Sequence, residues 1–144
     1  MTDVWGDIAG EFLHLYPRGN RLLAVTGVDA ERSRRTADDL AAALTAAGQQ
    51  VERAHTADGD GEALRAEIIA PFRAAAQDGR VLLVSGPAAL MDEGTRGIWN
   101  FTLWQLAGDE PPHSVASALV DVTDPDNPVR RFADYCALPA SFGA

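Results

Sequence analysis

Apolar positions recur along this chain with two different periods, and the alternation between them predicts its elements. Trp5, Ile8, Phe12 and Leu15 share one face at helical spacing, and the pattern ends near Pro17-Arg-Gly19. Leu22 to Val28 is almost continuously apolar, as expected of a strand covered on both faces. Ser33 to Ala47 reads as an amphipathic helix with Ala37, Leu40, Ala41 and Leu44 as its stripe, stopping at Gly48. Val51 to Thr56 is a short second strand, followed by the turn Ala57-Asp-Gly-Asp-Gly61. A further helix is predicted from Glu62 to Gln77, with Leu64, Ile68, Phe72 and Ala75 inward and a kink or break at Pro71. Val81 to Val84 forms the third strand and ends in Ser85-Gly-Pro87. Trp99 to Leu106 is the fourth, with Trp99, Phe101 and Leu103 on one face; Val115 to Val122 is the fifth, and Val129 to Tyr135 a sixth at an edge. Strands alternating with helices predict right-handed βαβ units. The expected architecture is one α/β domain over residues 1–144, a three-layer αβα sandwich around a mainly parallel sheet of five to six strands. No internal repeat, low-complexity tract or long linker interrupts it.

Charge and composition narrow the function classes. The formal net charge of −9, from 21 acidic and 12 basic residues, argues against a nucleic-acid partner, which needs a positive contact face. All the basic residues counted there are Arg, so no lysine is available as a phosphate ligand, Schiff base or general base. The Ala- and Arg-rich usage fits a high-GC coding genome, a property of codons rather than of function. No apolar run approaches the length of a bilayer span, so no membrane partner is expected. The acidic start Met-Thr-Asp-Val-Trp-Gly-Asp lacks the features of a secretory leader, and the expected location is cytoplasmic. The single Cys136 excludes an internal disulfide and a cysteine-based zinc site.

The segment Arg21-Leu-Leu-Ala-Val-Thr-Gly-Val-Asp29, running into a helix, has the setting of a phosphate-binding loop. In such a loop backbone N–H groups and the helix dipole cradle an anion. The working pattern is Gly, four residues, Gly, Lys, then Ser or Thr. Counted from Gly27, the last three places hold Arg32, Ser33 and Arg34. Two readings of the cluster Arg32, Arg34 and Arg35 stand. It is either a solvated turn balanced by Asp29, Glu31, Asp38 and Asp39, or an anion site whose guanidinium groups replace the lost lysine and metal charge.

At this level the chain resembles the uridine-kinase-like P-loop kinases, in the form common in actinobacteria. Arg21–Leu44 is similar to that family's first strand, phosphate loop and helix. Arg80–Leu106, with Val-Leu-Leu-Val-Ser-Gly-Pro87 and Gly97-Ile-Trp-Asn-Phe-Thr-Leu103, resembles its Walker-B strand and the next one. Val120-Asp-Val-Thr-Asp-Pro125 resembles a strand and turn near the family's C-terminus. The resemblance implies a P-loop NTPase-like fold and marks what is missing. Arg32 stands where the family has a small Gly, Ser33 where it has Lys, Arg34 where it has the magnesium-binding hydroxyl, and Thr36 comes two residues late. Ser85 stands where the Walker-B strand ends in an acidic residue. Asp58 matches one Asp of the substrate insert, most of which is absent, and Ala107 to Ser114 is too short for an arginine-bearing helical lid.

Other candidate chemistry is weaker. Asp58-Gly-Asp60-Gly61 opens like a calcium loop, but Ala63 and Ile69 break the pattern and turn chemistry accounts for it. Asp121, Asp124 and Asp126 accompany Asp-Pro and Asn-Pro turn signals. His14, His55 and His113 show no paired ligand spacing, and Ser85 lacks the Gly-x-Ser-x-Gly elbow of a hydrolase. No metal site is expected. Trp5, Trp99 and Trp104 read as core.

The expectation is therefore a catalytically degenerate kinase-like domain: no catalytic residue, no cofactor, with ATP and magnesium not expected to bind. Its role would be binding, scaffolding or oligomerisation, with a protein partner or a second copy on the surface that the lost segments uncover. The alternatives are residual binding of a nucleotide or phosphorylated small molecule at Gly27, Arg32, Ser33, Arg34 and Arg35, or an active small-molecule kinase completed by another subunit.

Overall fold

The computed structural model describes residues 3–75, 79–113 and 115–131. Its order is α1 (Val4–Leu15), β1 (Arg21–Gly27), α2 (Ala30–Ala46), β2 (Val51–His55), α3 (Gly61–Leu64), a π-helical turn (Arg65–Ile69), α4 (Ala70–Ala74) and β3 (Val81–Pro87). Two 3₁₀ turns follow (Ala88–Met91 and Arg96–Ile98), then β4 (Phe101–Leu106), β5 (Ala118–Asp121) and β6 (Val129–Arg131). The six strands form one sheet in the order β2-β3-β1-β4-β5-β6. All neighbours are parallel except β5 and β6, so the fold is mixed α/β with a mostly parallel sheet.

The apolar runs explain the central position of β1. All seven of its residues are buried, and it pairs with β3 on one side and β4 on the other. Alternate residues of a strand leave opposite faces of the sheet, and they enter separate clusters here. Leu23 and Val25 pack with Ile8, Phe12, Leu40, Leu44, Leu83 and Phe101. Leu22 and Ala24 pack with Leu64, Ile69, Phe72, Leu82, Val84 and Leu90. Phe12 of α1 meets Phe101 of β4 edge-on, with ring centroids 5.6 Å apart. Leu15, expected inward, is 54% exposed because α1 ends there and turns off the sheet.

Several boundaries move for local reasons. The second helix starts at Ala30 rather than Ser33, because the Asp29 carboxylate caps it one turn earlier. The kink expected at Pro71 takes the form of the π-helical turn before it, where the Ala70 amide reaches back to the Arg65 carbonyl. Pro71 has no N–H to continue the narrower ladder. Residues 76–78 at the end of that predicted helix lie outside the described residues. Trp99 does not share the face of Phe101 and Leu103: it precedes β4, packs with Leu82, Val84 and Leu90, and donates its indole N–H to the Leu90 carbonyl at 3.0 Å. The fifth strand is shorter than its apolar run, Ala118–Asp121, and the sixth is Val129–Arg131. The rest of the predicted sixth strand, and Cys136, lie outside the described residues. Among the described residues no helix is long and apolar enough to cross a membrane.

Candidate functional site

In an open parallel sheet, ligands bind beyond the carboxyl ends of the strands, where the chain changes its direction of winding. Here that place is the end of β1. The chain leaves β1 through α2 for β2 on one side of it, and after β3 crosses to β4 on the other. The Gly27 turn and the first turn of α2 lie at this point.

The first turn of α2 is already supplied with a carboxylate. Asp29 Oδ1 accepts the amide N–H of Glu31 at 2.9 Å and of Arg32 at 3.1 Å. The Asp29 carbonyl accepts the Ser33 N–H at 3.0 Å and the Ser33 hydroxyl at 3.1 Å. An anion attracted to the helix terminus would compete with this cap for the same donors.

The space over Gly27 holds Gln105, from β4, opposite Gly27 in the strand register. A Cβ on Gly27 would lie 2.1 Å from Gln105 Nε2 and 2.6 Å from the Gln105 carbonyl oxygen. Gln105 is completely buried. Its Nε2 donates to the Asp29 carbonyl and to Ser33 Oγ, both at 3.0 Å, and its Oε1 accepts from Arg32 Nε. The Arg32 guanidinium also pairs with Glu110, which accepts the Ala107 N–H at 3.1 Å. Glycine at 27 thus serves close approach of the protein's own amide.

The residues that the sequence groups as an anion site are only partly brought together: Arg32 and Arg35 share a cavity, and Ser33 and Arg34 are not among its lining residues. Arg32 faces Gln105 and Glu110, and Ser33, at the lysine position, is fully buried beneath Gln105. Arg34 is exposed and lies 3.7 Å from Glu31. Arg35 is exposed and, together with Arg32, borders a cavity of about 280 Å³ lined also by Thr36, Asp39, Val122 and Thr123. Asp39 is exposed, and partial desolvation raises its carboxyl above the ordinary value, with Arg35 pulling the other way.

Ser85, which the resemblance sets against the Walker-B acid, is fully buried towards the carboxyl end of β3. It is in register with His55 at the end of β2, and His55 Nδ1 lies 2.7 Å from Ser85 Oγ. On the other side of the ring, Nε2 lies 3.6 Å from Glu31 Oε2. The order Glu, His, Ser resembles a nucleophile relay, but a hydroxyl with no exposed surface has no access to a substrate. The sequence spacing gives His55 no partner. Only the parallel pairing of β2 with β3 brings it to Ser85.

Asp58 forms a turn: its Oδ1 accepts the Asp60 N–H at 3.0 Å and the Thr56 hydroxyl at 3.2 Å, which holds its carboxyl below the usual carboxylate range. Asp121 and Asp124 are engaged in the same way with Thr123 and Asn127. Among the described residues no group of three or more His, Cys, Asp or Glu side chains could hold a metal ion. The residues missed by sequence reasoning are Gln105 and Glu110. Gln105 leaves one signal, a lone amide within the apolar run Phe101–Leu106; Glu110, in a polar loop, leaves none.

In comparisons with protein-family models and with curated proteins, the chain matches none.

Proposed function

We propose that this chain is a degenerate uridine-kinase-like domain, a three-layer P-loop-type fold used for binding or scaffolding rather than phosphoryl transfer. The observation that carries this reading is the buried Gln105 side chain over Gly27, bonded to Asp29, Ser33 and Arg32. Phosphoryl transfer works by positioning and charge neutralisation around the phosphates. Here the amides, the guanidinium and the space that would do this are engaged within the protein, and no lysine exists to reach a phosphate. The helix after the Gly turn and the parallel neighbours on both sides of β1 support the P-loop likeness.

Calorimetric titration with ATP, with and without magnesium, is expected to give no heat at millimolar nucleotide. Tight magnesium-dependent binding would overturn the reading. The cavity bordered by Arg32 and the exposed Arg35 favours a second reading, binding of a phosphorylated small molecule there rather than over Gly27. That reading requires metal-independent heat that disappears in Arg35→Ala. The partner in the scaffold reading is a protein, most simply a second copy of the chain. Sedimentation equilibrium is expected to show self-association, and a clean monomer over a wide concentration range removes the dimer.

A further inference from the structure

The cavity beside α2 carries groups of both signs, and the fold leaves most of them uncommitted. Arg32, Arg35, Thr36 and Asp39 are related by steps of three and four residues, so they lie along one face of the helix. That face meets Ala107 of the loop after β4, and Val122, Thr123 and Pro125 between β5 and β6, around a volume of about 280 Å³. The size is just below the roughly 300–1,000 Å³ of ordinary ligand pockets, and suits a small metabolite better than a nucleotide.

Arg32 is committed to Gln105 and Glu110. Arg35 and Asp39 make no hydrogen bond and no ion pair among the described residues. Thr36 is only 3% exposed, and its hydroxyl has no partner among the described residues either. A buried hydroxyl in that state costs free energy unless something in the cavity bonds to it.

The charges are also ordered along the helix. Asp39 and Pro125 border an adjoining cavity of about 520 Å³, whose other walls include Asp3, Trp5 and Asp126. Positive charge therefore stands at the end towards the first turn of α2, and negative charge gathers from Asp39 onwards. A ligand that is only an anion brings its charge against Asp39 with nothing to offset the repulsion. A ligand with an anion at one end and a cation at the other matches both.

Taking the phosphorylated-ligand reading of this cavity as premise, we propose that its ligand is a phosphate monoester bearing an ammonium group, the phosphate at Arg35 and the Thr36 hydroxyl, the ammonium at the Asp39 carboxylate.

The guanidinium and the Thr36 O–H donate to phosphate oxygens, and the ammonium donates to Asp39. Val122 and Pro125 supply an apolar wall for the carbons in between. Desolvation outweighs Arg35 at Asp39 and holds its carboxyl above the ordinary value, as expected where no cation is hydrogen-bonded to it.

Calorimetric titration of the whole chain with O-phosphoethanolamine and with ethyl phosphate, both without metal, tests the assignment. The two probes share the ester and differ in the amine. O-phosphoethanolamine is expected to bind about fivefold more tightly, the upper end for an ion pair to an exposed carboxylate such as Asp39. Asp39→Asn is expected to erase that preference, weakening O-phosphoethanolamine while ethyl phosphate binds as well as before or better. Arg35→Ala is expected to lose both probes. Both side chains are exposed, so each variant should keep the wild-type urea midpoint. Equal affinity for the two probes in the wild type, or a preference that survives Asp39→Asn, overturns the ammonium assignment and leaves the phosphorylated-ligand reading standing. Heat from neither probe overturns both.

Discussion

Gly27→Ala is expected to lower the stability of the fold by about 3 kcal/mol, from overpacking together with broken buried hydrogen bonds. The added methyl carbon would stand 2.1 Å from Gln105 Nε2 and 2.6 Å from Gln105 Cδ. A side chain alone could swing away, but Gln105 is buried and bonded at both ends of its amide, so movement breaks contacts with Asp29, Ser33 and Arg32. The methyl also stands 2.6 Å from the Gln105 carbonyl oxygen, a backbone atom of a strand paired on both sides. The variant's urea midpoint should therefore fall while the slope is retained. Adding Gln105→Ala should remove only the side-chain part of the clash and leave the share due to the carbonyl. A loss below about 1 kcal/mol, within the range of tolerated core changes, would mean that Gln105 packs loosely and that the space above Gly27 is not closed.

The same Gly27 shows how far the sequence could be read. A continuous apolar strand, a glycine turn and an amphipathic helix were legible because each rests on local periodicity; the strands and α2 form in the predicted order, with α2 starting earlier at Ala30 and β5 shortened to Ala118–Asp121. The absence of a lysine and of the small residue at 32 was equally legible, since it requires only identity and spacing. What replaces them was not. Gln105 lies 78 residues after Gly27 by sequence number and reaches it only through the pairing of β4 with β1. Glu110 reaches Arg32 only through the loop that follows β4. Trp99 failed for a related reason: alternation placed it with Phe101, but the strand begins two residues later, so the period of two does not extend to it. His55 and Ser85 are the clearest case. His55 shows no paired ligand spacing and Ser85 stands out only for its place at a strand end; their 2.7 Å approach follows from strand order, which periodicity does not encode.

Gln105→Ala is expected to cost about 3 kcal/mol as well, by a different route. It empties buried volume and removes the partner of Arg32 Nε, and a lost hydrogen bond to a charged group accounts for about 1.5–3 kcal/mol. Glu110 still holds the other arm of that guanidinium, and the Ser33 hydroxyl can keep the Asp29 carbonyl, so the loss should stay below that of a large core aromatic. On the proposed reading, the variant also separates two accounts of why no phosphate is expected over Gly27. If Gln105 merely blocks an otherwise working phosphate seat, clearing it should let pyrophosphate or ATP bind at Gly27. If the chemistry itself is lost, nothing is gained: Asp29 still caps the amides of Glu31 and Arg32, Arg32 still faces Glu110, and position 33 still lacks a lysine. The second outcome is expected, namely a lower urea midpoint with no heat on titration with millimolar pyrophosphate. Anion binding gained in Gln105→Ala would show that a single side chain closes the space over Gly27 and would overturn the reading that the chemistry itself is absent.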